Sequence, residues 1–203
     1  MRIAVHGASG RLGQLIMTEA QGTAVPIGRD AAVPRCDVVI DVTSAEGLAA
    51  LLPRLSGQPL VVGTTGALPV QDLAAYAVQA PVAIVPNFSA GVPLLIDLIQ
   101  DAIAAMPPEW DVEIIESHHN QKKDAPSGTA RRLARAVTDA GGPLPPMHSL
   151  RAGDTVGEHT IWLSGPGERL ELKHVATRRA VFAIGALRWA KRILDLPPGL
   201  HRP

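Results

Sequence analysis

In the first part of the chain, short apolar runs alternate with stretches in which apolar residues return every three or four positions. The runs Arg2–Val5, Ala24–Ile27, Val38–Asp41, Leu60–Val62 and Val82–Val85 are rich in β-branched residues and bounded by Gly, Pro or Asp, which predicts strands. Between them Arg11–Gln21, Ala45–Leu55 and Val70–Gln79 carry helical spacing, with Ser44 as an N-cap of the second and Pro69 near the first turn of the third. Continuously apolar strands that alternate with helices predict a parallel sheet covered on both faces. One interval is irregular. Only Gly28–Asp37 separates the second strand from the third, which leaves little room for a crossover helix.

After Asn87 the rhythm changes. Gly91–Met106 predicts a long apolar helix broken by Pro107-Pro108, Asp111–Ser117 a strand, and Ser127–Ala140 a helix capped by Ser127 and closed by Gly141-Gly142. A Pro-rich loop, Pro143–Pro146, then leads to strands around Leu150, Glu158–Ser164 and Arg169–Val175. Their short Gly-containing connections suit an antiparallel or mixed sheet. Phe182–Leu194 predicts a closing helix. The expected fold class is α/β. Residues 1–89 form a Rossmann-like dinucleotide domain, a parallel sheet with helices on both faces. Residues 90–178 form a mixed-sheet α+β domain, and 179–203 pack back on the first domain.

Composition narrows the function classes. The chain has 203 residues, 46% of them hydrophobic, ample for a sizeable core. Nineteen basic residues balance nineteen acidic ones, so nothing attracts a polyanion such as nucleic acid. The single cysteine, Cys36, excludes an intrachain disulfide and a Cys-rich metal site and fits a reducing compartment. No apolar run is long enough to span a membrane, and the N-terminal run reaches His6-Gly7 too soon for a signal peptide. The expected location is cytoplasmic.

The first strand runs directly into Gly7-Ala8-Ser9-Gly10-Arg11-Leu12-Gly13, a G-x-x-G-x-x-G variant of the dinucleotide fingerprint. Glycines there permit a tight turn and let backbone N–H groups approach a pyrophosphate at the positive end of a helix. Glycine turns also join strands to helices with nothing bound; the position between first strand and first helix favours the nucleotide. The second strand ends Ile27-Gly28-Arg29-Asp30, where an acidic residue would take the ribose hydroxyls. If Gly28 occupies that place, Arg29 is set to receive a 2′-phosphate, favouring NADPH. The competing readings are a solvated loop pair Arg29/Asp30, or Asp30 itself serving the ribose. Gly63-Thr64-Thr65-Gly66 closes the fourth strand and Pro86-Asn87-Phe88-Ser89 the fifth. Ligands of open parallel sheets sit beyond such strand ends, so both segments are expected near the nicotinamide half.

Glu116 to Thr129 is dense in functional groups: His118, His119, Lys122, Asp124, Ser127 and Thr129. A histidine can donate a proton near neutral pH, and a lysine supplies a fixed positive charge or, with a lowered pKa, an acid. Ser127-Gly128-Thr129 begins a helix whose N–H groups and hydroxyls can hold a carboxylate. The set suits a small dicarboxylate that accepts a hydride and then a proton. Metal ligation is the weaker alternative for His118-His119, because neighbours on a strand face opposite ways and no third ligand is evident.

The run E-x-H-H-x-x-K-x-D-A-P-S-G-T-A, here Glu116 to Ala130, resembles the signature of the 4-hydroxy-tetrahydrodipicolinate reductases, the dihydrodipicolinate reductases of lysine and diaminopimelate biosynthesis. The likeness extends to the glycine turn, GTTG, NFSAGV at Asn87–Val92, the run Arg151 to His159, and His174–Arg178. It implies reduction of hydroxy-tetrahydrodipicolinate by NADPH or NADH, with loss of water. By motif, His118 corresponds to the proton donor/acceptor and Lys122 to a second proton donor. His119, Ser127, Gly128, Thr129 and Arg178 are implied substrate ligands. Gly7, Ala8, Ser9, Gly10, Arg11, Leu12, Arg29, Gly63, Thr64, Thr65, Val85, Pro86, Asn87 and Phe88 are implied cofactor contacts. Members are usually homotetramers joined through the mixed sheets of their substrate domains. This chain is short for the resemblance between Gly28 and Asp37 and between Pro143 and Leu150, and it stops soon after the closing helix.

Two other readings compete. A thiol-dependent dehydrogenase would need a nucleophilic cysteine near His118, whereas Cys36 precedes the third strand. A dinucleotide sensor without catalysis would keep the glycine turn but have no use for Lys122, Arg178 and both histidines.

Overall fold

The computed structural model describes residues 1–202. The chain forms two compact units, Met1–Phe88 together with the chain from Arg179 onward, and Ser89–Arg178.

The first unit contains β1 (Ile3–His6), α1 (Arg11–Glu19), β2 (Ala24–Ile27), β3 (Val38–Asp41), α2 (Ala45–Leu51), β4 (Leu60–Val62), α3 (Val70–Ala77) and β5 (Pro81–Ile84). The second contains α4 (Gly91–Ala105), β6 (Asp111–His118), α5 (Gly128–Asp139), β7 (Met147–Arg151), β8 (Gly157–Gly165) and β9 (Glu168–Ala176). The chain then returns to the first unit through α6 (Ala180–Arg192) and β10 (Gly199–His201).

In the first unit six parallel strands lie in the order β10-β5-β4-β3-β1-β2. Period-two alternation divides the buried side chains between two faces. Ile3, Val5, Val38 and Ile40 pack with Ile16 of α1 and Ala183, Ala186 and Ala190 of α6. Ala4, Val39, Leu60 and Val62 pack on the other face with Leu48 and Leu51 of α2 and Leu73 and Tyr76 of α3. The expected sheet with helices on both faces is therefore present. Ser44 caps α2, accepting from the Gly47 N–H at 3.2 Å. The helix expected to continue to Leu55 ends at Leu51 and tightens into a 3₁₀ turn, Leu52–Arg54. Pro53 has no N–H to continue the helical ladder. The first and fifth strands each lie one residue from the expected span. His6 joins the first because it pairs with Ile27 and Asp41.

No helix links β2 to β3, which flank β1. Irregular chain spans the interval, with Val33 and Cys36 packed on the α2/α3 face of the sheet. The sixth strand, β10, had no counterpart among the expected elements. It pairs with β5 in register Leu200 to Val82.

The second unit is a mixed sheet of order β7-β6-β8-β9, with β7 parallel to β6 and the remaining pairs antiparallel. One face is apolar at one end, where Val112, Ile114, Ile161 and Leu163 pack against Leu95 and Ile99 of α4 and Leu133 and Val137 of α5. Along β6 the same face continues into Glu116 and His118. The polar end of that face holds the candidate site.

Candidate active site

In the first unit, β1 ends at His6 and the chain turns through Gly7, whose φ of +90° is open to glycine. A Cβ on Gly7 would lie 2.8 Å from the Val42 carbonyl oxygen, and one on Gly13 would collide with the Gly7 carbonyl. This backbone cradle is as tight as the fingerprint requires. Gly10 is the N-cap of α1 and supplies no side-chain cap, so the first turn keeps its N–H groups for an anion. The turn borders a cleft of about 720 Å³ whose walls include His6, Gly7, Ala8, Ser9, Gly28, Arg29, Asp30, Ser44 and Glu46. These features fit a dinucleotide.

Beneath the cleft, fully buried Asp41 ties three strand ends together. It accepts from Thr64 Oγ1 at 2.5 Å and Thr43 Oγ1 at 2.7 Å, and His6 Nδ1 lies 2.7 Å from it. Thr64 Oγ1 in turn accepts from the Thr43 N–H at 2.9 Å. The Thr64 hydroxyl thus braces the carboxyl ends of the central strands.

The expected cofactor residues divide accordingly. Gly7, Ala8, Ser9 and Arg29 line the cleft, while Gly10, Arg11 and Leu12 form the start of α1. Gly63, Thr64, Thr65, Val85, Pro86, Asn87 and Phe88 follow β4 and β5 and are not on the cleft wall. The Val85 and Phe88 side chains are buried in the core. Phe88 is wedged there: a Cβ on Gly63 would strike its ring, and one on Gly185 its carbonyl. His6, Thr43, Ser44, Glu46 and Gly47 are wall residues to which the sequence reading gave no cofactor role.

In the second unit, cross-strand register gathers residues far apart in sequence. Ser149, Glu116, His159 and His174 occupy one row across β7, β6, β8 and β9; Arg151 and His118 begin the next. Glu116 is fully buried at the centre. One of its carboxylate oxygens, Oε1, accepts from Ser149 Oγ at 2.7 Å, Arg151 Nη2 at 2.7 Å and the Ser127 N–H at 3.1 Å. The other, Oε2, accepts from Arg151 Nη1 at 2.9 Å and faces His118 Nδ1 at 2.5 Å. The Arg151 pair is therefore bidentate, the strong form of such a contact. Burial alone would raise the Glu116 pKa, but the Arg151, Ser149 and His118 hydrogen bonds outweigh it and hold it at about 2.

An ionised Glu116 takes the Nδ1 proton of His118 as a hydrogen bond, which leaves Nε2 as the ring nitrogen available for proton exchange. Gly157 stands across from that nitrogen; a Cβ there would lie 3.2 Å from Nε2. Burial lowers the His118 pKa, Glu116 opposes the shift, and the charges of Lys122 and Arg151 reinforce it. Lys122 is held by Asp124 at 2.7 Å, and that bond lowers the Asp124 pKa. Ser127 caps α5, accepting from the Ala130 N–H at 3.1 Å, with His159 Nε2 at 3.2 Å. The ring of His159 meets that of His118 edge-on at 5.2 Å, and His174 Nε2 lies 3.0 Å from Ser89 Oγ.

Burial first, then repulsion from the neighbouring histidines, pushes the His159 pKa down to about 4. A base depressed in the folded state is protonated first in the unfolded chain. Stability is therefore expected to fall as pH drops from about 6.5 to about 4. His159→Gln should flatten that part of a urea-unfolding profile against pH; an unchanged slope would contradict it.

The structure brings together His118, Lys122 and Ser127, while Gly128 and Thr129 open α5 beside them. His119 follows the end of β6. Arg178 is exposed just past β9, and no hydrogen bond or ion pair joins it to this cluster among the described residues. Glu116, Ser149, Arg151, His159 and His174 had no assigned role in the sequence reading. The two-residue spacing of Glu116 and His118 on a strand was the available signal.

A parallel sheet with a glycine-cradled helix N-terminus in one unit, and a buried histidine–carboxylate pair in the other, define a nicotinamide-dinucleotide-dependent oxidoreductase. Two family models match, described as dihydrodipicolinate reductase N-terminus over residues 21–88 and C-terminus over residues 91–202. Proteins named 4-hydroxy-tetrahydrodipicolinate reductase from Xanthomonas campestris pv. campestris (strain B100) and Stenotrophomonas maltophilia (strain R551-3) are 41% and 42% identical to the chain. Both alignments cover 100% of this chain and 95% of the relative. The first spans 229 positions against the chain's 203 residues, so that relative carries internal segments absent here. A dipicolinate-bound dihydrodipicolinate reductase from Paenisporosarcina sp. TG-14 shares the fold with a TM-score of 0.75. It is 24% identical over 100% of this chain and 97% of that one. The chain belongs to the dihydrodipicolinate reductase family.

Proposed function

We propose that the chain reduces (2S,4S)-4-hydroxy-2,3,4,5-tetrahydrodipicolinate to (S)-2,3,4,5-tetrahydrodipicolinate with loss of water, a step of lysine and diaminopimelate biosynthesis, with NADPH preferred over NADH. The observation that carries the reading is the buried Glu116–His118 pair clamped by Arg151 beside the start of α5. The 4-hydroxyl leaves with a proton of the adjacent ring carbon as water, giving a conjugated ring whose C4 would take the hydride that a bound nicotinamide supplies. Electrons displaced toward the ring nitrogen or adjacent carbon are met by a proton from His118, whose orientation Glu116 holds. Lys122 is the second proton donor. Its charge also faces the dicarboxylate, as do Arg178 and the Ser127–Thr129 helix start, with His119 as a further ligand.

Residues 1–89 with the closing segment form the dinucleotide domain in this proposal, and 90–178 the substrate and oligomerisation domain. Arg29 on the cleft wall supports NADPH, by offering a guanidinium to a 2′-phosphate. A homotetramer assembled through the mixed sheets is supported by exposed Leu150 and Val175 in one row of the sheet face opposite α4 and α5. A cytoplasmic location completes the proposal. No helix among the described residues is long and apolar enough to cross a membrane.

The test follows NADPH and NADH loss side by side with the product of dihydrodipicolinate synthase as substrate. Oxidation of both, with higher kcat/KM for NADPH, is the expected result. Absence of turnover with either cofactor overturns the reaction; comparable kcat/KM values remove the NADPH preference alone.

A further inference from the structure

The interval between β2 and β3 carries the cleft residues Gly28, Arg29 and Asp30 but has neither helix nor ladder to fix it. Its carbonyls need partners from elsewhere. Three of them converge on one side chain. Arg54 Nη1 donates to the Arg29 carbonyl at 2.7 Å, Nη2 donates to the Gly28 carbonyl at 2.9 Å, and Nη2 also donates to the Ala31 carbonyl. Arg54 forms no ion pair among the described residues, so its donors serve the loop backbone rather than a carboxylate. Its own position is set by buried Leu52 and Leu55 on either side. The 3₁₀ turn that bears it closes α2, whose opposite end contributes Ser44, Glu46 and Gly47 to the same cleft. One short helix therefore forms part of the cleft wall with its first turn and grips the cofactor-selecting loop from its last.

We infer that Arg54 is a positioning residue for cofactor choice, its guanidinium gathering the carbonyls of Gly28, Arg29 and Ala31 so that Arg29 stands ready at the cleft for the 2′-phosphate of NADPH. The planar fork suits this task because its donors are fixed in one plane, whereas an ammonium of similar reach presents a point charge. The loop order that Arg54 provides is spent before the cofactor arrives, and it matters most to the contact that the loop itself makes. This inference rests on the proposed reading of Arg29.

Steady-state kinetics with both cofactors, on intact protein whose melting temperature is recorded, test it. Arg54→Ala should raise KM for NADPH about tenfold while leaving kcat, and KM for NADH, within about twofold; Arg54→Lys should recover part of the loss. Arg29→Ala should erase the cofactor preference, and adding Arg54→Ala to it should cost little more, because the two act through one contact. Equal loss for both cofactors in Arg54→Ala, or full additivity with Arg29→Ala, shows that Arg54 is only a structural staple and overturns the inference. If Arg29→Ala itself leaves the preference unchanged, the phosphate reading fails, and the role of Arg54 in choice falls with it. A shift on Arg29→Ala without one on Arg54→Ala removes the clamp alone.

Discussion

His118→Gln is expected to lower kcat by about two to four orders of magnitude, the range associated with loss of a positioned proton donor. The replacement is conservative where it matters structurally. A glutamine amide can still donate toward Glu116, so the buried carboxylate keeps its Arg151 and Ser149 bonds and the β6 register survives. What disappears is a group that can release a proton near neutral pH. In the proposed reading Lys122, Arg178 and the start of α5 attract the dicarboxylate, so its KM should change little. A fall in kcat of less than about tenfold would remove His118 from the chemistry.

The second large effect concerns Glu116. In Glu116→Gln the amide cannot replace the charge facing Arg151, and breaking a buried pair in this way costs about 3–5 kcal/mol. The pH dependence has a defined sign. Glu116 is held at about 2 in the folded protein against an ordinary value of 4.5, so its charge stabilises the fold fully above about 4.5. That contribution drains away as pH falls toward about 2. Urea unfolding of the two proteins should therefore differ most at neutral pH and converge through that acid window; a pH-independent gap would refute the assignment. Activity provides an independent readout. Glu116 raises the His118 pKa against burial, so its loss should move the His118-dependent limb of the kcat profile to lower pH.

Local pattern revealed most of the elements. The spans Ala24–Ile27, Val38–Asp41 and Leu60–Val62 coincide with β2, β3 and β4; the last two are brief apolar runs buried on both faces, and β2 is an edge strand marked by its short apolar run. Gly199–His201 offers no such run. It is a strand because β5 presents it with a free edge, and no window of sequence contains that information. The site divides in the same way. His118, Lys122 and Ser127 lie in one dense segment, and helix capping by Ser127 was readable from its place before α5. Arg151, His159 and His174 reach that segment only through the register of four strands, two of them approached from distant loops. Arg54 is hidden for a similar reason: its partners are backbone carbonyls, which carry no residue-type signature.

The return of the chain through α6 to β10 also bears on its birth at the ribosome. Until α6 emerges, Val5, Ile40 and Val61 lack the alanines that cover them, and until β10 emerges the β5 edge stands unpaired. The segment from Ser89 to Arg178 is synthesised in between and holds its own core, so it can fold first. The half that cradles the dinucleotide starts synthesis earlier yet is completed last.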